Sequence, residues 1–416
     1  MAIALAIATA VASRRAGGRG LTYAEGPGVQ LTPSTVLHMS AATEVGYDSN
    51  PGYTEQGGAA AFMRLMLRAD WASRPPQRLA GPGTPARRGI DFRLGLSAER
   101  LEYLGEAAAG MSAWQLDESA RLEVNPQGTI GGSAFALYGR SILPKNYEPI
   151  GTYPRDVVGA GASLVLRPRH SRMSYTLGYE FAADWFEAST LAYAKNLRST
   201  VRATVRREVY YRLSVALELS VGHISYDAVA SPLAKADSTP LTVVASVTGV
   251  LRPRLTGTLK LGYANGFYDT LPNLANSNLS SPTVEAEATY QVIPQTGRLS
   301  GGYGLLAQDA LMGDYYIDHL VYLRYDQLLA MPRRAITVSL RPSYRHRTYH
   351  GEPVGFTPRD DDILEVQLAV EMSLKDWLLM GLGYDVSADF TGFRDPAGIP
   401  YGFVKHMVFA KVQVSY

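Results

Sequence analysis

Arginine is the side chain with most chemistry to offer in this sequence, and three arginines are regularly spaced. Arg198, Arg202 and Arg206 recur at four-residue steps. On an extended chain they share one face, about 13 Å apart. Such a ladder can guide an anionic or hydroxylated solute. It can equally pair with neighbouring acids and keep a wall hydrated, which is the expected role of any single arginine. The seven histidines, His38, His170, His223, His319, His346, His350 and His406, are scattered. His223 and Ser225 lie two apart, and Asp318 precedes His319. Neither pair has the setting that a nucleophile and its base require, so structural or interfacial roles are expected. Cysteine is absent, which removes disulfide frameworks, thiolate chemistry and cysteine metal sites. No phosphate loop, zinc spacing or nucleotide fingerprint occurs. No catalytic, cofactor-binding or metal-ligating residue is assigned, no cofactor is expected, and no enzyme activity is expected.

The elements that must position these side chains are strands. The last fourteen residues, Phe403 to Tyr416, place Val408, Ala410, Val412, Val414 and Tyr416 on one parity and Lys405, Lys411, Gln413 and Ser415 on the other. A strand has a side-chain period of two, so this segment has one apolar and one polar face. The same alternation runs through the chain from Val36. It predicts strands near 36–47, 59–73, 90–103, 112–125, 130–141, 157–167, 173–185, 196–206, 211–226, 240–252, 255–268, 283–292, 298–307, 315–327, 335–346, 363–374, 377–389 and 403–416. That is about eighteen, an even number, as a single closed barrel of this kind requires. The chain has 416 residues, 19% of them charged, a formal net charge of +2 and a mean hydropathy of −0.07. That net charge argues neither for nor against nucleic acid or acidic lipid, and no nucleic-acid partner is expected. No internal segment supplies the roughly 20 apolar residues of a helical membrane span.

Two features favour a membrane over a soluble sandwich. Long connections (143–156, 227–239, 269–281, 349–361, 390–402) alternate with tight ones (125–129, 168–172, 253–254, 294–297, 375–376). Outer-membrane barrels have long outer loops and short periplasmic turns. Residues 74–89 depart from this, being long where a short turn is expected. Second, aromatics fall where interfacial girdles belong. Tyr47, Trp114, Trp185, Tyr263 and Tyr384 map to the outer interface, and Trp71, Tyr290, Tyr325 and Tyr416 to the inner one. All nine share the apolar parity. Glu118 and His319 also fall on it, which predicts bulges or interface positions there. The expected fold is all-β: a single closed antiparallel transmembrane barrel of about 18 strands. The expected organisation is a shortened signal peptide at 1–12, a periplasmic lead-in at 13–35 and the barrel at 36–416. The lumen-facing parity carries Arg64, Arg68, Arg93, Arg198, Arg202, Arg206, Arg212, Arg324, Arg341 and Arg345. It also carries Glu285, Glu287, Glu365 and Glu371. The mixture argues against a strongly polyanion-selective pore. The run Asp360-Asp361-Asp362 is read as solvated loop acids, with a divalent cation or a lipopolysaccharide bridge as the alternative.

The opening strand and its loop run L-H-M-S-A-A-T-E-V-G-Y-D-S-N-P-G-Y from Leu37 to Tyr53. Gly46-Tyr47-Asp48-Ser49-Asn50 resembles the Gly-Tyr-Asp-x-Asn opening of outer-membrane β-barrel porins found in exopolysaccharide gene clusters. The plan of strands, closing on a terminal aromatic, is similar to that of the myxobacterial Wzp-type export barrels. The resemblance implies an outer-membrane outlet, in a Gram-negative bacterium, for a secreted or capsular polysaccharide. It implies a periplasmic polysaccharide-export protein as partner, together with the lipid bilayer, lipopolysaccharide and the barrel-assembly machinery. It carries no catalytic residue. A general diffusion porin for small hydrophilic solutes is the alternative, and a barrel enzyme the third. An outlet for a polymer must be sealed when idle, so a loop plug, with 143–156 and 390–402 as candidates, or a partner is expected to seal it. The basic 74–89 connection is expected to dock the periplasmic partner.

Overall fold

In the computed structural model, the described residues are 28–32, 34–73, 89–108, 110–142, 153–210, 212–227, 233–269, 278–331, 334–351 and 356–416. The expected signal peptide, the lead-in up to residue 27, and nearly all of the 74–89 connection lie outside them.

Alternating sequence becomes nineteen strands among the described residues. They are β1 Val29–Thr32, β2 Thr35–Asp48, β3 Ala60–Ser73, β4 Ile90–Leu104, β5 Ala113–Val124 and β6 Ile130–Ser141. Next come β7 Arg155–Leu166, β8 Met173–Phe186, β9 Asn196–Tyr210, β10 Leu213–Tyr226, β11 Ser238–Arg252 and β12 Leu255–Tyr268. The rest are β13 Leu279–Ile293, β14 Gly297–Asp309, β15 Tyr315–Met331, β16 Arg334–His350, β17 Asp360–Lys375, β18 Leu378–Phe390 and β19 Phe403–Ser415. Neighbours in sequence pair antiparallel from β2 to β19. The ring closes where β19 pairs with β2, from Met407↔Asp48 to Ser415↔Ser40. Closure leaves an 18-strand antiparallel barrel, as expected. Several expected strands continue further than the alternation: β9 runs on to Tyr210, β15 to Met331 and β16 to His350, and β13 starts already at Leu279. Leu328 to Met331 is apolar without alternation, so the ladder's continuation there was invisible to a period-two pattern.

The short strand β1 was expected as unstructured lead-in. It instead pairs with the base of β2, Val29↔Leu37 and Thr32↔Thr35. It thereby takes up the edge of β2 that is left where β19 stops, since Tyr416 exchanges backbone hydrogen bonds with Met39.

Burial alternates along the strands with the same period of two. On β19, Phe403, Lys405, Met407, Phe409, Lys411, Gln413 and Ser415 are buried, and every alternate residue is exposed. The outward residues of neighbouring strands are leucine, valine and aromatics left exposed all round the ring. A closed ring with every strand paired and an apolar belt satisfies what a bilayer imposes on backbone and side chain. The protein is an outer-membrane barrel. The girdle aromatics all lie on that belt; Tyr325 is only half exposed and its hydroxyl donates to Gln327. Glu118 and His319 also face outward. The ladder through Glu118 is regular (Leu96↔Glu118↔Tyr138), so no bulge explains it. His319 lies near the outer end of β15, bonded to the Tyr303 hydroxyl at 3.0 Å.

Candidate functional site

The site is the barrel interior and the loops over its outer mouth. Its wall divides into two arcs. In β17–β19 and β2–β4 many inward positions are buried, and several carry large side chains. Phe62, Leu101, Ile142, Ala369, Met407 and Phe409 form one apolar cluster inside the ring. Two glycines make room for it. A Cβ on Gly383 would lie 2.3 Å from the Phe409 ring, and one on Gly46 would lie 2.8 Å from the Phe62 ring. In β10–β14 the inward positions are mostly hydroxyl-bearing or small and less buried: Thr242, Ser246, Thr248, Thr258, Thr289 and Gly302 among them.

Charges on the wall come in pairs. Arg64, fully buried, bridges Glu44 and Glu99, the latter at 2.7 Å. Arg68 and Arg93 share Asp70 at 2.5 and 3.1 Å. Arg324 and Arg341 converge on Asp326 at 2.7 and 3.8 Å. Arg345 lies 3.8 Å from Asp318 and 3.7 Å from Glu365. Lys260 holds Glu285 at 2.7 Å, Tyr322 donates to Glu287 at 2.6 Å, and Lys411 faces Glu371 at 3.8 Å. The regular arginine ladder is therefore mixed. Arg202 sits between Glu180 and Glu218, and Arg206 donates to Ser214 at 2.7 Å. Of the three only Arg202 is ion-paired; Arg198 and Arg206 have no ion pair among the described residues. Arg212 is not on the wall. It lies in the β9–β10 turn with φ 74°, because β10 begins at Leu213 rather than at 211.

The Gly46–Asn50 motif has a mechanical role that its local sequence hides. Tyr47 faces outward in the girdle, whereas Asp48 turns inward and is fully buried. Asp48 accepts from Lys405 at 2.7 Å and from the Tyr103 hydroxyl at 2.9 Å. The Asn50 side chain donates to the Val404 and Thr54 carbonyls and accepts from the Thr54 N–H. The Lys405 ammonium also lies 4.1 Å from the centre of the Tyr53 ring. The motif fastens the first outer loop to the closing strand.

Described residues of several outer loops pack back against the barrel and one another. Arg359, almost wholly buried, is held by Asp361 at 2.6 and 2.9 Å. Its guanidinium packs on Tyr349, Phe393 and Tyr401 at 4.6, 5.2 and 5.1 Å from their ring centres. Phe393 and Tyr401 belong to the β18–β19 loop, so one buried arginine ties that loop down. Burial pushes the Tyr401 hydroxyl above its ordinary range, against the pull of Arg359. On another side, Leu311 between β14 and β15 joins an apolar cluster with Leu191, Tyr193 and Ala194 of the 3-10 helix Ser189–Ala194. Tyr153 and Phe186 complete it. Loops rooted six strands apart thus meet. Lys235 adds a buried pair with Asp309 at 2.7 Å. Of the two loops expected to act as plugs, 390–402 is anchored in this way. In the other, residues 143–152 lie outside the described residues.

The histidine pairings considered from the sequence do not form. Asp318 points inward to Arg347 and Arg345, while His319 points outward. His223 faces outward opposite Ser199. Of the acid run, Asp361 is bound by Arg359, and Asp362 accepts from the Tyr344 hydroxyl at 2.6 Å and lies 2.9 Å from His346.

No protein-family model matches the chain, and no curated protein matches its sequence. Among solved structures it is similar to Acinetobacter baumannii OccAB4 at 11% identity, covering 91% of this chain and 98% of that one, with a TM-score of 0.46. The outer membrane protein opdK from Pseudomonas aeruginosa matches at 11% identity over 91% and 99%, TM-score 0.45. A bacterial polysaccharide outer membrane secretin matches at 11% over 91% and 97%, TM-score 0.35. Likeness at this level carries nothing about solute or mechanism.

Proposed function

We propose that the barrel is a gated outlet for a secreted or capsular polysaccharide, working with a periplasmic export protein. The observation that carries this reading is the pairing of a hydroxyl-lined arc with an outer mouth tied down by buried ion pairs. A wall of threonine, serine and glycine can slide past sugar hydroxyls without gripping one segment. Charged pairs keep the remainder hydrated while cancelling most of the field that would select a polyanion. A mouth fastened by Arg359–Asp361 and Lys235–Asp309 suits a conduit that must be closed when no polymer occupies it. The bound arginines act as latches, not as catalytic groups.

The second reading is a diffusion porin for small hydrophilic solutes. It is favoured by the filled arc of β17–β19 and β2–β4, which narrows the bore. Deleting the gene separates the two. The outlet reading expects surface polysaccharide to be lost while uptake of small nutrients is unchanged. Intact surface polysaccharide with impaired nutrient uptake would transfer the assignment to the porin.

A further inference from the structure

The periplasmic tips of the β7–β16 hairpins do not resemble the rest of the surface. Arg169, Arg172, Arg207, Arg252, Arg254 and Arg334 are exposed there. None of the six has a carboxylate partner among the described residues. Glu208 is the one acid on these tips among the described residues. Successive hairpins stand about 10 Å apart around the ring, so the charges form an arc roughly 40 Å long.

The same tips expose apolar side chains below the inner girdle. Tyr210 is 75% exposed beside Val209, and Val292 with Ile293 and Leu328 with Leu329 are exposed pairs. Leu328 and Leu329 lie on a regular ladder, pairing with Thr337 and Ile336. Neighbours on a regular strand point to opposite faces, so the two cannot both point at lipid. Both lie beyond the girdle residue Tyr325, where lipid tails end. Exposed apolar side chains bordered by unpaired charge mark a surface that another protein covers.

We infer that this collar docks a periplasmic protein through a face that is apolar at its centre and acidic at its edge. The spread of charge along an arc, rather than its convergence on the lumen, fits a broad protein face better than a single polymer strand. Arginine without acid partners selects carboxylates and gains most when they are desolvated. The inference rests on the partner half of the proposed outlet and is independent of the cargo. Surface polysaccharide tests the cargo; the following tests the collar.

Tyr210 and Leu329 are each replaced by photo-reactive p-benzoylphenylalanine in the full chain and irradiated in living cells. The expected result is one and the same periplasmic protein, identified by mass spectrometry, attached at both positions. In the Arg252→Glu/Arg254→Glu background, with heat-modifiable migration confirming a folded barrel, the adduct should fall roughly ten-fold. Envelopes irradiated with no mutation in the collar, at about 0.5 M NaCl, should show a similar fall, because screening then acts within ~4 Å. Adducts only to phospholipid would assign the collar to the inner-leaflet headgroups and overturn the inference. So would an absence of adducts, or a protein adduct indifferent to either charge reversal or salt.

Discussion

The inner faces of β17–β19 and β2–β4 obey the same alternation as those of β10–β14, yet one is filled and the other is lined. Both arcs present leucine and valine to lipid. Inward, the first carries Phe62, Arg64, Phe409 and Lys411, all essentially inaccessible. The second carries threonine, serine and glycine with free space in front of them. A hollow of about 260 Å³ lies against Thr248, Thr256, Thr258, Glu287 and Thr289. Period two decides which face a side chain takes. Side-chain volume, and whether a charge finds its counter-charge, decides whether that face becomes packing or passage.

The largest effect should come from the seam that joins the filled arc to itself. Removing Val412–Tyr416 deletes the rungs from Val412↔Thr43 to Ser415↔Ser40 and the Tyr416–Met39 bonds. An open barrel leaves a strand edge unpaired in lipid, which the bilayer does not tolerate. No heat-modifiable barrel should reach the outer membrane. Normal levels of the truncated protein would show that the seam is not closed by β19.

Next in size is the removal of one charge from each arc. Arg64→Ala leaves Glu44 buried without its partner and should cost about 3–5 kcal/mol. Lys260→Ala separates a pair that is about two-fifths exposed and should cost within ~1 kcal/mol. Urea titration of refolding in lipid vesicles measures both. Equal costs would erase the distinction between the arcs.

A smaller contrast uses glycine. Gly46→Ala places a Cβ 2.3 Å from the Val408 carbonyl and against Phe62, and should cost about 1–3 kcal/mol through overpacking. At Gly304 the nearest atom to a new Cβ is 3.9 Å away, so Gly304→Ala should stay within about 0.5 kcal/mol. The same titration decides it.

Much of this was legible in the sequence because a barrel wall is built from local rules. Strand number, faces and girdles all follow from period two and from where aromatics fall. The outward tyrosine of Gly46–Asn50 was legible too. The tasks of its neighbours were not: Asp48 binds Lys405 across 357 residues and Asn50 binds Val404 across 354. Ring closure brings the chain's ends together, and no local pattern records that. The Arg359 latch was hidden for the same reason, as its rings come from β16 and the β18–β19 loop. Arg212 was misplaced because a left-handed turn residue interrupts the count. Which arginines meet acids, as Arg64 and Arg202 do and Arg198 and Arg206 do not, depends on register rather than on any local pattern.

The most direct test of the account is the conductance of the purified full-length protein in a planar bilayer, compared with that of Arg359→Ala. Without its guanidinium, the β18–β19 loop loses the ion pair with Asp361 and three ring contacts, while the barrel wall keeps all its rungs. The account predicts that the unaltered protein conducts little and that the variant opens to a severalfold larger, salt-dependent conductance with heat-modifiable migration unchanged. A large constitutive conductance in the unaltered protein, the same in Arg359→Ala, would contradict it.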